Sequence, residues 1–148
     1  MFTRPMTDAV IRGIVNDLNE QIAPDLHAEA AKVALGMIVQ ILQGCAARAA
    51  HEIAWMHDEI ADIVVALQGV DDSAVVAALG ALDLGPRGLD LADVIARYDL
   101  ASQALSLGIE GAYERDDAAL AERLRVLLEE RSAHEMQIVG ALALVGRG

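Results

Sequence analysis

The stretch from Asp25 to Gln68 constrains this chain more than any other. Leu35, Val39, Leu42, Ala46, Ala49, Ile53, Met56, Ile60, Ile63 and Leu67 follow one another at alternating steps of four and three, and every one is apolar. This is a heptad seam, the pattern of a long helix that lays one face along its neighbours. The spacing predicts one long amphipathic helix, continuous or kinked. Uninterrupted, it would reach about 65 Å at 1.5 Å per residue, whereas a domain of this size measures roughly 35–40 Å across. The helix is therefore expected to bend, at Gly36 or Gly44, or to project past its own bundle and need a partner. Ala34, Ile38 and Ile41 make Val33–Ala47 apolar on nearly every side, which predicts a segment buried all round, at a bundle centre or a dimer interface.

The remaining elements follow from caps and breakers. Thr7 is positioned to cap a first helix whose stripe is Val10, Ile11, Ile14, Leu18 and Ile22, and Pro24 ends it. Gly69 closes the long helix. Asp71, Asp72 and Ser73 offer caps for a short helix over Ala74–Leu82, and Gly85-Pro86-Arg87-Gly88 breaks the chain. Asp90 is expected to cap a helix with Leu91, Ile95, Tyr98, Leu105 and Ile109 on its buried side, loosened near its end by Gly108 and Gly111. Asp116 and Asp117 open a last helix running to about Val145. At 148 residues, with β-branched residues at helical rather than alternating spacing, the expectation is a single domain over 1–148. Its fold class is all-α, an antiparallel helical bundle built around the long helix.

Charge and cysteine content narrow the function. Eleven basic residues stand against 23 acidic ones, a formal net charge of −12, which argues against a nucleic-acid partner and against an anionic membrane surface. The longest uncharged run of the long helix, Val33–Ala47, is shorter than the roughly 20 residues that span a bilayer, so no membrane partner is expected. Cys45 is the only cysteine, which excludes an intrachain disulfide and fits the cytoplasm. It is expected on the inward side of the long helix, packed as a small hydrophobe.

Two polar residues interrupt the last helix's seam, which reads Leu120, Leu124, Leu127, Arg131, His134, Ile138, Ala141, Val145. On the long helix Glu52 and Glu59 lie two turns apart between the seam columns. Glu52, Glu59, Arg131 and His134 are therefore candidates for one polar layer, either an ion-pair cluster that fixes register or a small binding site inside a bundle. No metal is expected: the segment from His51 to Asp62 is crowded with ligand-type side chains but lacks the Glu-x-x-His spacing of di-metal bundles, and His-Glu-x-x-His is also missing. His51, His57 and Asp58 read as a solvated face. No cofactor is implied. Trp55 flanks the seam, as a packing edge or an interface anchor. Arg147 is placed to neutralise a helix C-terminus or to reach a partner's carboxylate or phosphate.

Three stretches carry a resemblance: Ile22-Ala23-Pro24-Asp25-Leu26, the Ala-rich helix running into Glu52-Ile53-Ala54, and Glu135-Met136-Gln137-Ile138-Val139-Gly140. Together they resemble a family of small, uncharacterised bacterial helical proteins encoded beside, or fused to, aminoglycoside-phosphotransferase-like kinases and acyl-CoA dehydrogenases. The resemblance implies an accessory subunit of a metabolic enzyme and assigns no catalytic residue. The reading of the residues gives a non-catalytic interaction or accessory protein that forms a homo-oligomer; the partner enzyme is what the resemblance implies. The alternative is a helical-bundle enzyme, or a small-ligand or metal-binding protein, with its polar site between the long helix and the C-terminal helix.

Overall fold

The computed structural model describes residues 4–139, which beyond residues 4–6 are helical or in the connections between helices. The chain is all-α: α1 (Thr7–Asp17), α2 (Glu29–Ala66), α3 (Ser73–Leu84), α4 (Leu91–Glu114) and α5 (Ala118–Val139). It divides into two compact units, one of Met1–Glu52 with His134–Gly148, the other of Ile53–Ala133.

The second unit holds the main core. Ile60, Ile63 and Leu67 from α2 join Val75 and Leu82 from α3, Ala101, Ala104, Leu105 and Ala112 from α4, and Leu120, Leu124 and Leu127 from α5. Ile60, Ile63 and Leu67 are seam positions of the long helix and Leu120, Leu124 and Leu127 of the last helix, buried as their spacing predicts, whereas Ala49 and Ile53 of the long helix's seam are exposed. Burying a Leu or Ile side chain stabilises by roughly 1.5–3 kcal/mol, so this cluster is the unit's main source of stability. The buried side of α4 agrees with the expected one at Leu105, which is buried, and at Tyr98 and Ile109, which pack partly buried against the core, but Leu91 and Ile95 are exposed and the rest of the inward row is small: Val94, Ala101, Ala104, Gly108, Gly111 and Ala112. A Cβ at Gly108 would fall 2.4 Å from Leu67 Cδ2. The glycine admits a core leucine; it does not loosen the helix, which runs on to Glu114.

Caps set the turns of this unit. Gly69 takes φ +77° just beyond α2, the left-handed conformation that glycine adopts without a Cβ clash. Asp72 caps α3, its Oδ1 accepting from Ala74 N at 2.9 Å and Val75 N at 3.3 Å. Asp90 stands at the N-cap of α4 but makes no side-chain cap hydrogen bond. Between α4 and α5, Asp116 takes φ 51°, and Asp117 Oδ1 accepts from Leu120 N at 2.9 Å. The expected opening of the last helix by these two aspartates is thus seen, one bending the chain and the other capping.

In the first unit the helical path continues past α1 as a widened π-turn over Leu18–Ile22 and a 3-10 turn over Ala23–Asp25. Pro24 sits in the first turn of that segment, where its missing N–H costs nothing. Leu26 is extended, so α2 begins at Glu29 and not at Asp25. Val15, off the expected stripe, is the buried residue of α1; Val10, Ile14 and Ile22 are exposed.

The N-terminal half of α2 overturns the expected all-round burial. Val39 and Ala46 are buried, but Val33 is 62 %, Met37 45 %, Ile38 49 % and Ile41 52 % exposed. Cys45, expected inward, is exposed as well. Neither proposed bend point interrupts the 38-residue helix. At Gly44 the missing side chain serves packing, because a Cβ there would meet Ile138 O of α5 at 2.6 Å. By length and composition α2 is long and apolar enough to cross a membrane, and only 11 % of the 18-residue stretch that meets this criterion is buried. The uncharged run alone understates the apolar reach of this helix.

Candidate functional site

The structure brings two of the four candidate polar residues together and adds a third group. Glu59 projects from α2 into the second unit with its side chain 11 % exposed. Tyr98 on α4 donates its hydroxyl hydrogen to Glu59 Oε2 at 3.0 Å. Arg131 on α5 places Nε 3.4 Å from Glu59 Oε1, and its guanidinium carbon lies 5.3 Å from the centre of the Tyr98 ring. Three helices thus each contribute one member of a carboxylate–phenol–guanidinium cluster. The Arg131 approach is longer than the roughly 2.7–2.9 Å of a tight charge-assisted bond, and Glu59 Oε1 is out of solvent without a hydrogen bond of normal geometry.

The electrostatics follow from burial. Desolvation, then the neighbouring Glu59 charge, push the Tyr98 hydroxyl up to about 12. Tyr98 is therefore a proton donor at all ordinary pH. Arg131 is permanently cationic, and its ring contact adds a cation–π attraction of about 0.5–1 kcal/mol where it is partly exposed. The three groups satisfy one another: an anion, a donor and a cation. The arrangement is suited to fixing how α2, α4 and α5 meet.

The other two candidates lie elsewhere. Glu52 takes part in an (i, i+4) pair on its own helix, accepting from Arg48 Nε at 2.8 Å. His134 is half-buried on α5, at the start of the segment that belongs to the first unit. Trp55 is half-buried on α2. Arg147 lies outside the described residues. His51 and Asp58 are exposed as expected, but His57 is not on a solvated face: it is half-buried, and its Nε2 is out of solvent with no hydrogen-bond partner among the described residues. Among the described residues no three His, Cys, Asp or Glu side chains converge to hold a metal ion.

Tyr98 was legible only as a buried-side residue of α4. The signal that marks it as part of the cluster is chemical: a tyrosine on an inward face needs a partner for its hydroxyl, and Glu59 was the inward-facing acceptor. Elsewhere in the second unit a pocket of about 130 Å³ lies between α4 and α5, lined by Ile109, Ala112, Leu124 and Leu128 among others. It falls short of the roughly 300–1,000 Å³ of ordinary ligand sites, a range reached in the same unit by an open groove of about 440 Å³ between α2 and α5, lined by Asp62, Val65, Arg123 and Glu130 among others.

At the level of sequence and fold, no family model, no curated protein and no solved structure matches this chain.

Proposed function

We propose that this protein is a non-catalytic interaction module, a cytoplasmic accessory protein that works beside a metabolic enzyme. The observation that carries the reading is the exposed apolar face of α2, where Val33, Met37, Ile38 and Ile41 are each at least 45 % exposed. A contiguous apolar surface of this kind marks a docking site far more often than it is tolerated bare. The polar cluster supports the same view, since Glu59, Tyr98 and Arg131 answer one another and hold three helices in register. The enzyme-accessory role comes from the resemblance to proteins encoded beside kinases and dehydrogenases.

A charged substitution tests the docking reading. Ile41→Glu is expected to leave helix content and melting temperature unchanged, because the side chain is half-exposed, while abolishing association. Collapse of the fold would make this face part of the chain's own core and end the reading.

One observation favours the alternative, a bundle that binds a small ligand. His57 Nε2 is out of solvent with no hydrogen-bond partner among the described residues, and a buried orphan of this kind calls for a partner. Native mass spectrometry separates the two readings: a stoichiometric small-molecule adduct lost in Glu59→Gln supports the binder, and a bare chain mass removes it.

A further inference from the structure

The open groove of about 440 Å³ between α2 and α5 carries opposite charge at its two ends and apolar side chains between them. We propose that it binds a linear zwitterion, an ammonium and a carboxylate joined by an apolar chain, of the size of 6-aminohexanoate. The site lies wholly in the second unit and does not depend on what covers the exposed half of α2.

The two helices run antiparallel along the groove. Glu59 lies 3.4 Å from Arg131, and a Cβ at Gly108 would meet Leu67 at 2.4 Å and Leu124 at 3.7 Å. Residues near 59 on α2 are thus level with residues near 131 on α5, and residues near 67 with those near 124. Asp62 and Glu130 therefore share one end of the groove, and Arg123 stands at the other. Val65 and Ala66 of α2 lie between these ends, level with Val126 and Leu127 of α5. Leu127 is buried beneath; Val65 and Val126 remain 62 % and 43 % exposed.

The charges at the two ends are unanswered. Arg12, Arg48, Arg87, Arg115, Arg125 and Arg131 each pair with a carboxylate of the chain. Arg123 does not, although 23 acidic residues face 11 basic ones. Asp62 and Glu130 likewise form no ion pair or hydrogen bond among the described residues. They do not close on Arg123 themselves, because Glu130 lies about 10 Å further along α5 and charges on one helix pair at a separation of three or four residues.

Each part of the groove selects one part of the ligand. Two carboxylates suit an ammonium better than a metal ion, which takes more ligands, and among the described residues no third carboxylate, histidine or cysteine joins them. A guanidinium suits a carboxylate, which it holds through two parallel hydrogen bonds. Val65, Val126 and Leu127 suit methylenes, whose removal from water is favourable in proportion to their area. An amino acid with adjacent charges reaches only one end; an extended aminohexanoate, with a hydrogen bond of about 2.8 Å at either end, reaches both.

A titration of the full chain, followed by its valine methyl resonances, tests this. 6-Aminohexanoate is expected to shift Val65 and Val126 saturably, and to leave Val76 on α3, 56 % exposed, unmoved. Hexylamine and hexanoate each lack one charged end and are expected to bind several-fold more weakly, the scale of one exposed ion pair. Glycine has both charges and no chain, and is expected not to bind. Arg123→Gln should erase the preference for 6-aminohexanoate over hexylamine, and Asp62→Asn/Glu130→Gln the preference over hexanoate. All three side chains belong to exposed residues, so circular dichroism and melting temperature are expected to match those of the unmodified chain. No saturable shift, equal binding of the three six-carbon ligands, or a preference that survives Arg123→Gln overturns the proposal. So does a mass of two chains with Val65 and Val126 shifting on dilution alone, which would give the groove to a second copy.

Discussion

The carbonyl oxygen of Ile138 lies 2.6 Å from the point where Gly44 would carry a Cβ. Backbone meets side-chain-free backbone there, and α2 and the end of α5 are held together by the absence of one methyl group. Gly44→Ala should therefore destabilise the protein by roughly 1–3 kcal/mol through overpacking, despite alanine's better helix propensity. Gly36 sits on the same helix with nothing within 4 Å of its would-be Cβ, so Gly36→Ala should stabilise by about 0.5–1 kcal/mol. Thermal melts of the two variants with opposite signs check this. A neutral Gly44→Ala would show that the contact is not close-packed.

Removing Arg131 should cost more than removing the whole Glu59–Arg131 pair. Arg131→Met leaves a carboxylate whose side chain is 11 % exposed facing only Tyr98, and a loss of about 2–3 kcal/mol is expected, below the 3–5 kcal/mol of fully buried pairs because the arginine is partly hydrated. Glu59→Leu/Arg131→Leu should recover at least half of it. Denaturant melts of the single and double variants measure the coupling; equal losses would mean that the pair does not act as a unit.

Alkaline pH should loosen the same cluster. The Tyr98 hydroxyl is raised to about 12, from an unfolded value near 10. A folded-state value above the unfolded one gives stability that is complete below pH ~10 and is lost as pH climbs toward 12. In a Tyr113→Phe background, tyrosinate absorbance should report a single titration displaced upward, and melting temperature should fall over the same window. Tyr98→Phe should flatten that alkaline fall. An ordinary titration near 10 would mean the hydroxyl is not held by Glu59.

Asp72 serves two neighbours at once, capping α3 and pairing with Arg115. The Arg115 hydrogen bond first, then the backbone N–H groups of Ala74 and Val75, hold its carboxyl below the usual carboxylate range. A lowered folded-state value contributes stability above the unfolded pKa of about 3.9, lost as pH falls through the folded one. At neutral pH Asp72→Ala should lower the melting temperature more than Asp72→Asn, because asparagine keeps the cap and loses only the ion pair. Equal losses would assign the whole effect to Arg115.

The fold was legible where one face decides. The rows Ile60–Ile63–Leu67 and Leu120–Leu124–Leu127 are buried as their spacing demands, and Asp72, Gly69 and Asp117 act where capping chemistry puts them. The small-residue side of α4 was not, because Ala101, Ala104 and Gly108 carry little hydrophobic signal and are buried for their size. The exposed half of α2 misled for the opposite reason: composition says that a segment is apolar, and only the packed chain shows which side lacks a neighbour. Of the polar cluster, Arg131 was visible as a seam interruption and Glu59 as a charge between the seam columns. Glu52 was drawn away by Arg48 one turn back, a local partner that heptad position alone does not weigh.

Peroxide oxidation of Met37, followed by mass spectrometry, tests most directly whether the α2 face is covered in the working protein. In the isolated chain Met37 is 45 % and Met136 on α5 is 56 % exposed, so the two should react alike if nothing sits on α2. The docking account predicts that Met37 oxidises several-fold more slowly than Met136, and that Ile41→Glu brings the two rates together. Equal rates in the unmodified protein at every concentration would contradict it.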